Sequence, residues 1–105
     1  MIAPERTAAL SLGTVQRIDA VFAEAQRAEV ARLLTVECGH DLPLAGSLGA
    51  SGIERVRFAV LKLSGGSLDR LRAAVESARQ DWRDVLVGAG FGDDAQAHLA
   101  WRPHA

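Results

Sequence analysis

One cysteine in 105 residues, Cys38, leaves this chain without an internal disulfide and without the paired thiolates of a structural zinc site. The fold therefore owes nothing to oxidation, and a reducing compartment, the cytoplasm, is expected. Long apolar runs are missing as well. None nears the roughly 18 residues of a membrane span, and the opening residues, broken by Pro4, Glu5 and Arg6, lack the apolar stretch of a secretory signal. Neither charge sign dominates: twelve basic residues face thirteen acidic ones, a net charge of −1. No global field then draws the chain onto phosphate backbones or anionic lipid, so neither nucleic acid nor a membrane is an expected partner.

Aromatic residues are scarce at 5%, yet the hydrophobic fraction of 49% is ample for a packed core and excludes wholesale disorder. A chain of 105 residues has room for one such core, so a single domain over 1–105 is expected, with 1–13 frayed and 102–105 a tail. Apolar residues recur at helical spacing throughout. Val15, Ile18, Phe22 and Ala25 stack on one face after Thr14, a usable N-cap, while Arg17, Asp19 and Glu24 take the wet face. Val30, Leu33, Leu34 and Cys38 resume the pattern on a rotated face, so 14–38 forms one helix or two, broken near Ala25 to Ala28.

Glycine, serine and Pro43 make Gly39 to Ser51 a loop, and Ser51 with Glu54 matches a capping box that starts the next helix. Ile53, Val56, Val60 and Leu63 form the inner stripe of that helix. Phe58, Ala59 and Leu61 widen it until only Glu54, Arg55, Arg57 and Lys62 stay polar, which predicts a central position. "SGGS" at 64–67 is a helix–helix corner, and Leu68, Leu71, Val75 and Ala78 mark an antiparallel neighbour. Asp81 caps a further helix with Trp82, Val85, Leu86 and Ala89 on its face; Gly88, Gly90 and Gly92 stop it. Asp93 or Asp94 caps a last short helix through Leu99 and Trp101. The expected fold is all-α: a compact bundle of five or six short helices.

Residue chemistry is gathered in one place. "ECGHDLP" sets Glu37, Cys38, His40 and Asp41 within five positions, which invites a thiolate activated by imidazole or the start of a zinc site. With His98 these residues would make a small metal- or thiol-dependent enzyme. The motif has no second half, and a cysteine at a helix C-terminus faces a dipole that opposes the thiolate. The plainer expectation is a buried Cys38, Gly39 as the helix cap, and His40 and Asp41 on the surface. His98, Trp101 and His104 with Asp93 and Asp94 lack a ligand spacing; Trp101 is expected inward and His98 at the rim. "GAGFG" at 88–92 has neither the Lys-Ser/Thr of a P-loop nor a preceding strand, so no cofactor is expected.

Arg70, Arg72, Trp82 and Arg83 are candidate interaction residues, because Trp and Arg are common at binding hot spots. An arginine face on the two middle helices would be the route to any weak nucleic-acid binding. The basic residues, however, are interleaved with Glu54, Asp69, Glu76, Asp81 and Asp84, as on solvated helix faces.

Several segments together resemble a family of small bacterial proteins: Cys38, Gly39, Leu42 and Pro43; "ERVRFAVLKLS" from Glu54 to Ser64; "DWRDVLVGAGFG" from Asp81 to Gly92; and Ala97, His98 and Trp101. The resemblance covers about the last two-thirds of the chain. It implies an all-α domain of the bacterial cytosol and brings no activity, substrate or cofactor with it. The expected function is an interaction or accessory module that binds another protein, or itself, through a helix face, with the loop from Gly39 to Gly52 as its adaptable edge.

Overall fold

The first helix starts where a serine closes it. In the computed structural model, which describes residues 10–39, 42 and 49–103, α1 (Leu12–Val21) begins at Ser11, whose hydroxyl oxygen accepts the Thr14 amide at 3.1 Å. Thr14 is therefore not the N-cap but a buried residue of the first turn, and residues 11–13 belong to α1 and its cap instead of a frayed end. The stripe turns with the cap: Thr14, Arg17 and Ile18 face inward, and Val15 and Ala25 are exposed.

No glycine or proline separates α1 from α2 (Glu24–Glu37); the break at Phe22 and Ala23 precedes the expected one. A side chain holds it. Arg27 donates from Nε to the Phe22 carbonyl and from Nη2 to the Asp19 carbonyl, both at 3.0 Å, and so satisfies groups that the ending helix leaves open. The far end of α2 is closed in the same way. Arg57 Nε donates to the carbonyls of Leu34 (3.1 Å) and Cys38 (2.9 Å), and Arg79 Nη1 to that of Glu37 (3.0 Å). Arg57, expected on a solvated face, is consequently only 2% exposed.

The central helix α3 (Gly49–Ser64) buries Ile53, Val56 and the run Phe58 to Leu61, as its width predicts. It starts two residues ahead of Ser51, so the capping box is not formed; Glu54 turns instead to Ser11, whose hydroxyl donates to Oε2. Gly65 and Gly66, both at positive φ (56° and 87°), turn the chain into α4 (Leu68–Gly88), capped by Ser67 through the Arg70 amide at 3.2 Å. A Cβ on Gly66 would lie 3.0 Å from the Val21 carbonyl, so this corner also fits against the end of α1.

At Asp81 the backbone of α4 is extended (φ −159°, ψ 102°), and its carboxylate accepts the Arg83 amide at 3.1 Å, an N-cap in mid-element. The turn there is large. A straight helix of 21 residues would span roughly 31 Å, yet α4 leaves α3 at Ser64 and ends beside it, with Lys62 Nζ 2.9 Å from the Ala89 carbonyl. The part after Asp81 therefore doubles back along α3. A single turn, α5 (Ala97–Ala100), completes five helical elements, and the described residues contain no strand. One hydrophobic core draws on α1 to α4 and the segment after them, and the Cα radius of gyration of 12.6 Å is that of a compact domain of about 100 residues.

Candidate functional site

The segment after α4 gathers the most unusual chemistry. Gly90, at φ 81°, ends α4 in a Schellman motif: the Phe91 amide donates to the Leu86 carbonyl (2.8 Å) and the Gly90 amide to that of Val87 (3.0 Å). "GAGFG" is thus a helix stop that drives Phe91 into the core. From there the backbone crosses α3 and reaches α1, held by three cations. Lys62 bonds the Ala89 carbonyl and lies 5.0 Å over the Phe91 ring. Arg55 Nη2 donates to the Phe91 and Asp94 carbonyls. Arg17, 7% exposed where a wet face was expected, donates from Nε to the Trp101 carbonyl (3.0 Å) and from Nη2 to that of Leu99 (3.4 Å), with its guanidinium 4.1 Å over Phe58.

His98 sits beneath this strap and is 1% exposed, whereas Trp101 is only partly buried; the expected placement of the pair is inverted. Two aromatic rings decide it. The imidazole meets Phe58 edge-on at 5.2 Å and Phe91 at 6.3 Å, and both rings are buried. Neither ring nitrogen has a hydrogen-bond partner among the described residues; Glu54 Oε1 is 3.9 Å from Nε2. Burial lowers the His98 pKa and Arg55 and Arg17 lower it further, against Glu54 and the backbone of Ala95, which is close to the ring without a well-formed hydrogen bond, both of which raise it. A neutral imidazole beside a carboxylate is an acid–base pair in composition. Here it is sealed by aromatic rings, and the clefts that Arg17 and Glu29 border are lined by other residues.

Cys38, the cap residue of α2, is fully buried. Burial pushes its thiol up to about 12 although Arg57 and Arg79 pull the other way, so the sulfur stays protonated. Cys38 packs by Arg57, and His98 by Phe58 and Phe91. Among the described residues no three His, Cys, Asp or Glu side chains are gathered as metal ligands would be. His40, Asp41 and His104 lie outside the described residues, as does most of the loop from Gly39 to Gly52.

Two of the four arginines of α4 are matched by carboxylates, and Arg79 is spent on the Glu37 carbonyl. Arg72 is 3.5 Å from Glu29 and 3.8 Å from Asp69, Arg83 is 2.9 Å from Asp81, and Arg70 is exposed. Trp82 packs partly buried against the core. Between α2 and α4 lies a cleft of about 290 Å³ whose rim alternates Glu29, Arg32, Glu37, Arg72 and Glu76. The Arg32 hydrogen bond, followed by its charge and those of Arg72, holds the Glu29 carboxyl at about 2. This side of the molecule carries no uniform positive field. Six large apolar residues are exposed among the described residues, none of them an expected interaction residue, and two of the six meet at Gly88. Leu63, expected on the inner stripe, is 36% exposed and Val87 71%, and they flank Gly88, where a Cβ would touch Leu63 at 3.6 Å. Leu63 is the last residue of its stripe before the corner, and the α4 residue it faces, Gly88, has no side chain to cover it.

Comparison of the chain with family models, with curated proteins and with solved structures finds no match.

Proposed function

We propose that this chain is a small bacterial interaction or accessory module of the cytoplasm, without catalytic activity, that binds another protein or a second copy of itself through a helix face. The observation that carries this reading is the Leu63 and Val87 pair. Single exposed apolar residues are ordinary on any surface. These two flank Gly88 at the adjoining ends of α3 and α4, on a frame held by the Schellman turn and Lys62. Such an apolar step on rigid elements suits docking better than chemistry.

Membership of the bacterial family that 81–92 resembles belongs to the same proposal. Its most specific residues have structural tasks: Asp81 restarts a helix, Gly90 stops it, and Phe91 anchors the segment beyond. The thiol reading draws no support from Cys38, whose sulfur is buried and protonated. The membrane is not a partner in this reading, and among the described residues no helix is long and apolar enough to cross one.

The test is association through position 87. Light scattering across a wide range of concentrations, with photo-crosslinking from position 87 in cells, should reveal a dimer or a discrete partner. Val87→Asp should abolish either while the melting temperature is kept. A protein that stays monomeric and cross-links to nothing discrete would refute the reading.

A further inference from the structure

Arg17 ties the C-terminal segment to α1 through its guanidinium, and the residue also borders a second cleft. Gln16, Arg17 and Ala20 of α1 line it together with Arg102 and Pro103, and its volume is about 120 Å³. That is well below the roughly 300–1,000 Å³ of pockets for drug-sized ligands, and it suits one compact group. We propose that the cleft between α1 and the residues after α5 is a binding site for a single phosphate group.

Charge gives the sign of the ligand. Two arginines line the space, and no acidic side chain does so among the described residues. Glu54, the carboxylate that acts on Arg17, is engaged by the Ser11 hydroxyl and does not reach the cleft lining. Arg102 is exposed and makes no ion pair among the described residues. After burial itself, the Arg102 charge is the main influence lowering the Arg17 pKa, so the two cations repel across the site, and a bound anion relieves that repulsion.

Geometry gives the class. Arg17 spends three of its five N–H donors on the carbonyls of Gly13, Leu99 and Trp101, which fixes the plane of the group before any ligand arrives. The Arg102 fork and the Gln16 amide add donors to a lining that has no carboxylate among the described residues. Paired arginine forks match the several oxygens and the double charge of phosphate better than the single charge of a carboxylate. Arg17 is the built half of the site and Arg102 the exposed half.

The experiment is titration of the isotopically labelled protein with inorganic phosphate, glycerol phosphate and acetate at constant ionic strength, followed through its amide resonances. Phosphate should give saturable shifts confined to Gln16, Arg17, Ala20 and the residues around Arg102, at least about tenfold tighter than acetate. Glycerol phosphate binding as tightly as inorganic phosphate identifies the end of a monoester as the ligand, and weaker binding identifies the free ion. Arg102→Ala should weaken phosphate by about tenfold or more, whereas Arg70→Ala, an exposed cation elsewhere, should not. Gln16→Glu, on the exposed face of α1, adds a carboxylate to the cleft that Arg17 and Arg102 line; it should raise the melting temperature without phosphate and abolish the phosphate shifts. Shifts that fail to saturate, that acetate reproduces at equal concentration, or that survive both Arg102→Ala and Gln16→Glu would overturn the proposal.

Discussion

Replacing Arg57 by methionine separates the two energies that a buried guanidinium sets against each other. The substitution keeps an unbranched stem of similar reach, so the core around Val56 and Phe58 stays filled, and it removes the Nε donor shared by the Leu34 and Cys38 carbonyls. Two carbonyl oxygens at the end of α2 then lose their bond from Nε in surroundings where Cys38 has no access to water. A buried acceptor left open costs about 1–3 kcal/mol. Against this stands the relief of no longer burying a cation, a cost visible in the lowered Arg57 pKa, whose first cause is desolvation. Two open acceptors outweigh that relief, because methionine offers them nothing, and the expected net loss is about 3 kcal/mol. For 105 residues, with an unfolding entropy of roughly 2.1 cal/mol/K per residue, the melting temperature falls by about 14 °C. Urea denaturation followed by circular dichroism gives the free energy. Hydrogen exchange at the end of α2 shows whether the loss is local. A variant as stable as the parent, or more so, would refute the reasoning, since desolvation would then exceed everything the carbonyls gain.

The same geometry sets three further outcomes. The folded-state pKa of His98 lies below its ordinary value, so its contribution is fully present above about pH 6.5 and is lost as pH falls toward the folded pKa; the urea midpoint should therefore drop on acidification from about pH 7.5 to about pH 5.5, and His98→Gln should remove that part of the slope. Gly66→Ala combines a left-handed φ of 87° with a Cβ 3.0 Å from the Val21 carbonyl, and should cost more than Gly49→Ala, where φ is 70° and the space is open; the second should lose only the conformational penalty of about 1–2 kcal/mol in thermal denaturation. Cys38, buried and protonated, should react with a thiol reagent only at the rate of unfolding, and rapid labelling of the native protein would contradict its placement.

The helices are legible because their signal is local. Apolar residues at helical spacing, the wide stripe of α3, the "SGGS" corner and Asp81 as a cap all announce themselves within a few positions, and the all-α bundle with a central α3 comes from them. The buried arginines are not legible, because their partners are remote. Arg17 bonds a carbonyl 84 residues away and Arg57 one 23 residues away, while the charges next to them in sequence suggest solvated ion pairs. A guanidinium closing the end of another helix leaves no periodic trace. The order of His98 and Trp101 is hidden for a related reason: a helix of four residues has no apolar face of its own, and Phe58 and Phe91 choose which ring goes under. Burial of Cys38 can be read from residue type alone, but the Arg17 and Arg102 cleft cannot, because it exists only once the end of the chain returns to α1.

That return of the C-terminal segment across α3 to α1 underlies the buried histidine, the cation clamps and the proposed phosphate cleft alike. Proton–proton contacts in solution between the His98 imidazole and the Phe58 and Phe91 rings test it most directly. Strong contacts to both are expected, from centroid separations of 5.2 and 6.3 Å. An imidazole with no contact to either ring and an ordinary titration near pH 6.5 would contradict it.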